Sequence, residues 1–145
     1  MPTVSVSFQV TFDAASPLLL AKFWKLALGY RDDDPPPGFA SWEEALQGVP
    51  EEHRDDANAI IDPNGVGPRI FFLKVPEGKA AKNRVHLDVG VGRGIQDADE
   101  RWRVVRAHVD TLVAAGGTEV DERRDDWGGH WMVMTDPDGN EFCVQ

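Results

Sequence analysis

Two stretches of the chain share one design: an apolar, β-prone run, a turn built on Asp-Pro-x-Gly, and a second apolar run. The first reads Ala59-Ile60-Ile61, then Asp62-Pro63-Asn64-Gly65, then Arg69 to Leu73. The second reads Trp131 to Met134, then Asp136-Pro137-Asp138-Gly139, then Glu141 to Val144. Proline presets φ in such a turn and glycine accepts positive φ, so the flanking runs fold back on each other. One hairpin used twice implies a duplicated module, and that duplication constrains the fold more than any figure of composition.

What precedes each hairpin supports the repeat. Val4 to Phe12 alternates apolar and polar residues, as a strand with one greasy face does. Ser16-Pro17 then supplies a helix cap and a first-turn proline, Leu20, Phe23, Trp24, Ala27 and Leu28 form a helical stripe, and Gly29 ends it. Ser41 to Gln47 reads as a short capped helix. In the second half, Val85, Leu87 and Val89 alternate with His86 and Asp88. A glycine-punctuated loop leads to a helix over about 97–115 with a stripe of Trp102, Val105, Val109, Leu112 and Val113. A strand over Thr118 to Val120 and the last hairpin close the chain. The expected fold is α+β: two βαβββ modules, about 1–76 and about 84–145, within a single domain 1–145. Each half is too small to bury its own helix and sheet well, so the modules are expected to form a curved mixed sheet with helices outside and a cleft inside.

The composition fits such a globule, with 41% hydrophobic and 28% charged residues in 145. No apolar run reaches membrane-spanning length and no signal peptide is recognisable, so a cytoplasmic protein without membrane contact is expected. The single cysteine excludes an internal disulfide. A net charge of -10 argues against nucleic acid, and runs such as Asp32-Asp33-Asp34 read as solvated surface.

Function is expected on the face turned away from the helices. Strict alternation brings there Gln9 and Thr11, His86 and Asp88, and Glu141, Cys143 and Gln145. In the first hairpin Ile70, Phe72 and Lys74 take that side if Phe71, Leu73 and Val75 face the helix. Trp127-Gly128-Gly129-His130-Trp131 offers aromatic and backbone contacts to a ligand, though it serves equally as a turn before a strand whose tryptophan packs in the core.

Phe23-Trp24, Leu28-Gly29, His86 and Asp136-Pro137-Asp138-Gly139-Asn140 together resemble the glyoxalase, bleomycin-resistance and extradiol-dioxygenase superfamily, the vicinal oxygen chelate fold. Val75-Pro76-Glu77, Lys82 to Asp88 and Asn140 to Val144 are similar to its glyoxalase-like subfamily. Members with metal take one ligand from the first and one from the last strand of each module. The matching positions here are Gln9, Phe72, His86 and Cys143. Carboxylates are expected at the second and fourth, and both are absent. Phenylalanine cannot ligate, and cysteine suits a softer ion.

The resemblance therefore implies a protein that binds a small organic molecule without the family's usual metal site. Its ligand contacts are expected from Gln9, Phe72, His86, Cys143, Trp127 and Trp131. No cofactor is expected, a divalent metal stays open, and a metal, if present, would use Gln9, His86 and Cys143. One alternative is a lyase-, isomerase- or dioxygenase-type enzyme with His86 as base or ligand and Glu141 assisting. Another is a resistance protein sequestering a cationic drug. A homodimer is compatible with the resemblance.

Overall fold

The structure, a computed structural model, describes residues 4–145; the first three residues of the expected first module lie outside it. The chain divides into two units, one of residues up to Lys25 with Gly29–Glu77, the other of Leu26–Leu28 with Gly78–Gln145. In the first, β1 (Val10–Ala14) leads into α1 (Pro17–Leu28), followed by β2 (Arg31–Asp32), the short α2 (Trp42–Leu46), β3 (Ala57–Ile61) and β4 (Ile70–Lys74). In the second, β5 (Asp88–Val89) precedes α3 (Ala98–Ala114), β6 (Thr118–Arg124), β7 (His130–Thr135) and β8 (Glu141–Val144). Each unit holds one four-stranded mixed sheet, in the orders β1-β4-β3-β2 and β5-β8-β7-β6. The first and last strands of each unit pair in parallel and the rest antiparallel. The repeated hairpins belong to two copies of one βαβββ topology.

The caps form as their residue types dictate. Ser16 Oγ accepts from Leu19 N–H, Pro17 opens α1, and Gly29 closes it at a φ of 69°. Leu20, Phe23, Trp24 and Ala27 are buried, and Trp24 meets Phe12 of β1 edge-on at 5.1 Å. Helix α3 is capped by Asp97 and buries Val105, Val109 and Leu112. Val113, expected in that stripe, is 42% exposed, and Trp102 is half-buried, stacked on His130 at 3.4 Å.

Both hairpins are organised by the aspartate that opens the turn. Asp136, only 3% exposed, accepts at Oδ1 from the N–H groups of Asp138 and Asn140 and at Oδ2 from the Asn140 amide. Gly139 takes a φ of 87°, where a side chain would be strained. Asp62 repeats the device, accepting from the N–H groups of Asn64, Val66 and Gly67. The N–H groups of Gly67 and Asn64 hold the Asp62 carboxyl below its usual range.

Three sequence expectations need correction. The first strand starts at Val10, not Val4, and Val4, Val6 and Phe8 are 72–89% exposed. Its partner β4 begins only after Gly67-Pro68, and proline has no N–H to extend the ladder. Strand β6 runs on to Arg124 rather than stopping at Val120, because β7 supplies backbone partners to a sequence with no apolar face. On β4 the alternation is the reverse of that expected. Ile70 and Phe72 are buried, and Phe72 lies opposite Phe12 with the rings 5.5 Å apart. Ile70-Phe71-Phe72-Leu73 is apolar at every position, so periodicity alone could not set its phase.

Candidate functional site

The open face of the second sheet is set by its buried one. Val89, Met132, Met134, Phe142 and Val144 point into the core. Alternation turns Asp88, Trp131, Val133, Glu141 and Cys143 the other way. The register then gathers them: Cys143 lies opposite Asp88 on one side and Val133 on the other, and Trp131 lies opposite Arg123. These residues, with Lys82, His86 and Gln145, line a hollow of about 370 Å³. That volume suits a small ligand.

In the lining of the hollow, His86 Nε2 stands 3.3 Å from Asp88 Oδ1. The Cys143 sulfur joins them, the three donor atoms lying within 4.8 Å of one another. Burial pushes the Cys143 thiol up, and the negative charge and hydrogen bond of Asp88 push the same way. Arg123 and Lys82 pull against that rise. The resting group is a neutral thiol, which is a poor nucleophile.

Glu141 is already engaged. Its Oε2 accepts from the Asn83 N–H at 2.9 Å and its Oε1 from Lys79 Nζ at 3.0 Å. The Asn83 N–H, followed by Lys79, holds its carboxyl down at about 2. An assisting catalytic role, as expected from sequence, would require breaking these bonds. In the structure Glu141 ties the segment 79–83 to the start of β8.

Of the remaining expected residues, Trp131 joins this lining, and Gln9, Phe72 and Trp127 do not. Gln9 belongs to the first unit, where its Oε1 accepts from Arg69 Nη1 at 3.0 Å. Arg69 also pairs with Asp33 and lies over the Phe71 ring at 5.5 Å. Phe72 is fully buried and offers nothing to a ligand on an open face. Trp127 is 94% exposed and is absent from the lining of the hollow, whereas Trp131 is part of it. Alternation along β7 separates Trp131 from its neighbour His130, which faces α3 and bonds Glu122 at 2.6 Å. Sequence reasoning missed Arg123 and Val133. The register shift between Glu119 and Asp121 interrupts the two-residue alternation of β6, so only the pairing with β7 brings Arg123 to this face.

A metal of the kind the resemblance implies needs oxygen-rich donors. Of the four matched positions, Phe72 has no donor and is buried. The second unit by itself offers one imidazole nitrogen, one carboxylate oxygen and one sulfur, from His86, Asp88 and Cys143. This set does not fit a hard ion such as manganese; it fits a borderline-soft one such as zinc.

Comparison with known proteins places the fold. The family model described as "Glyoxalase-like domain" matches residues 9–145. No curated protein matches the chain in sequence. Among solved structures, hypothetical protein SA1046 from S. aureus is 17% identical, with 96% of this chain and 95% of that one covered and a TM-score of 0.59. A glyoxalase/bleomycin resistance protein/dioxygenase family enzyme from Burkholderia phytofirmans PsJN is 14% identical, with 94% of each chain covered and a TM-score of 0.59. A mutant of the fosfomycin resistance protein FosX from Listeria monocytogenes, complexed with Mn(II) and 1S,2S-dihydroxypropylphosphonic acid, is 12% identical, with 99% and 90% covered and a TM-score of 0.63. With two mixed four-stranded sheets of βαβββ order and a family match across nearly its whole length, the chain belongs to the glyoxalase-like domain family, within the glyoxalase/bleomycin resistance/dioxygenase (vicinal oxygen chelate) superfamily.

Proposed function

We propose that the protein binds a small organic anion in the hollow of its second unit. The observation that carries this reading is the pairing of charge and surface there: Lys82 and Arg123 line the same hollow as Trp131 and Val133. Arg123 bonds Asp121 through Nε, which leaves its terminal nitrogens for a ligand's acid group. The two carboxylates of the hollow oppose an anion weakly. Glu141 is held by Lys79 and Asn83, and Asp88 faces His86. Trp131 and Val133 offer apolar area to the ligand's body. The phosphonic acid bound by the FosX relative is also an anion, in keeping with this class. The reading does not call on a hard-metal site of the usual kind.

The test is calorimetric titration with phenylacetate, its amide and the corresponding amine. The carboxylate is expected to bind best, and Lys82→Ala and Arg123→Ala each to weaken it about tenfold, about 1.4 kcal/mol. Equal or tighter binding of the amine, or unchanged affinity in a Trp131→Ala variant, refutes the proposal. A second reading, an enzyme of lyase or isomerase type with His86 as base, draws support from the Asp88 oxygen beside the imidazole, an arrangement that orients a general base. A His86→Ala variant that keeps full turnover of an identified substrate would remove it.

A further inference from the structure

We infer that the second unit carries a binding site for a phosphate group, free or as a monoester, at the end of its sheet where β5, β6 and β8 stop and β7 starts. Two adjoining hollows lie there, of about 240 and about 370 Å³, and they share Arg101, Asp125, Gly128, Gly129 and His130. Of the Trp127-to-Trp131 stretch, only Trp131 lines the hollow on the open face, whereas Gly128, Gly129 and His130 line this cleft. The inference stands whether or not an organic anion also binds the open face.

Charge decides the class of ligand. The chain carries 25 acidic residues and 15 basic ones, yet the cleft gathers Arg93, Arg101 and Arg124 against the single carboxylate of Asp125. Asp125 is turned to its own loop, its Oδ1 accepting from the N–H groups of Trp127 and Gly129. Asp99, Glu100 and Asp126 are close in sequence and do not line the cleft. Arg93 makes no side-chain hydrogen bond or ion pair among the described residues. Arg124 stands 3.8 Å from Glu122, too far for a hydrogen bond. Three guanidinium groups and one carboxylate leave an excess of positive charge that a phosphate monoester, carrying about two negative charges, neutralises. The planar guanidinium fork also matches the spacing of phosphate oxygens.

Arg101 is the fixed member of the set. Its Nη1 donates to the carbonyl oxygens of Ile95 at 2.9 Å and Gln96 at 3.4 Å, which leaves Nε and Nη2 for a ligand. Its stem rests on Gly92, where an added Cβ would come within 2.6 Å of Arg101 Cγ. Gly92 is buried and its N–H is bound to the Gln145 carbonyl oxygen at 3.0 Å, so the backbone has little room to yield. The glycine is therefore needed for the position of the arginine. Across the cleft, Gly128 and Gly129 put no side chain in the way of a bulky oxyanion.

The experiment titrates isotope-labelled full-length protein with inorganic phosphate and with phenyl phosphate at constant ionic strength, and follows amide and arginine Nε–H resonances by NMR. Inorganic phosphate is expected to move Gly92, Gly94, Gly129 and the Arg101 Nε–H saturably while leaving Val133 and Cys143, on the open face, in place. Arg101→Gln removes the clamped guanidinium, and Gly92→Ala displaces it without changing the charge. Each is expected to weaken phosphate about tenfold with the circular dichroism spectrum unchanged. Tighter binding of phenyl phosphate than of the free ion assigns the site to an ester, and equal affinity assigns it to free phosphate; both uphold it. Shifts that do not saturate, that centre on Val133 and Cys143, or that keep full affinity in the Arg101→Gln chain overturn the assignment.

Discussion

Replacing Asp136 by alanine tests how the closing hairpin is held. The carboxylate accepts at least three hydrogen bonds, two from backbone N–H groups and one from the Asn140 amide, at 2.9 to 3.0 Å. Bonds to a charged acceptor contribute roughly 1.5–3 kcal/mol each, so three give a gross loss of about 4.5–9 kcal/mol. Two terms reduce it. Alanine no longer carries the cost of burying a charge, and the freed N–H groups, next to the exposed Pro137, regain water. The net destabilisation works out at about 3 kcal/mol, or roughly 6–12 °C in Tm for a chain of this size. Asp136→Asn keeps one acceptor oxygen and is expected to lose about half as much. Urea denaturation with an unchanged m-value is the assay. Asp62→Ala removes the more exposed version of the same device and is expected to cost less. A loss below about 1 kcal/mol for Asp136→Ala, or a larger loss for Asp62→Ala, would refute the claim that this side chain organises the turn.

Phe72→Ala is expected to destabilise by about 3–5 kcal/mol, measured by urea denaturation; a cost under about 1 kcal/mol would mean that the ring lines an open face after all. Lys79→Met is expected to raise the Glu141 titration above about 2 but not to the ordinary carboxylate value, because the Asn83 N–H remains; carboxyl carbon shifts followed by NMR against pH read this directly. The sign follows from the lowered pKa: the stability Glu141 contributes is fully present above the unfolded value of 4.5 and is lost as pH falls toward about 2. In the variant that loss begins at higher pH. Cys143 is expected to react with iodoacetamide at pH 7.5 at least tenfold more slowly than glutathione does, and Asp88→Asn to speed it by lowering the thiol pKa; equal rates in the parent and Asp88→Asn chains would contradict the role given to Asp88.

The parts of the molecule legible in sequence are those where local chemistry and global fold agree. Ser16-Pro17 and Gly29 mark both ends of α1 because cap, proline and left-handed glycine act within a few residues. The duplicated Asp-Pro turns, and the side on which Asp88, Glu141 and Cys143 lie, follow from turn chemistry and strict alternation, whereas His86 precedes β5. What was not legible depends on partners distant in sequence. The phase of Ile70 to Leu73 is decided by Phe12 beneath Trp24, not by its own all-apolar pattern. The length of β6 is decided by β7, which draws a charged run into a strand and brings Arg123 to the hollow. Val4 to Phe8 alternates well and is still no strand among the described residues, because a ladder needs a neighbour with N–H groups to offer.

Strand β6 ends the order of the second sheet, and all seven of its residues are exposed. Such a rim invites a stray chain to add itself as the next strand, the first step toward insoluble cross-β stacks. Here Glu119, Asp121, Glu122, Arg123 and Arg124 crowd seven exposed residues, and the pairing slips between Glu119 and Asp121. A newcomer would have to strip water from charges of both signs and match a distorted register, so the charge and irregularity of this rim guard the protein against aggregating through it.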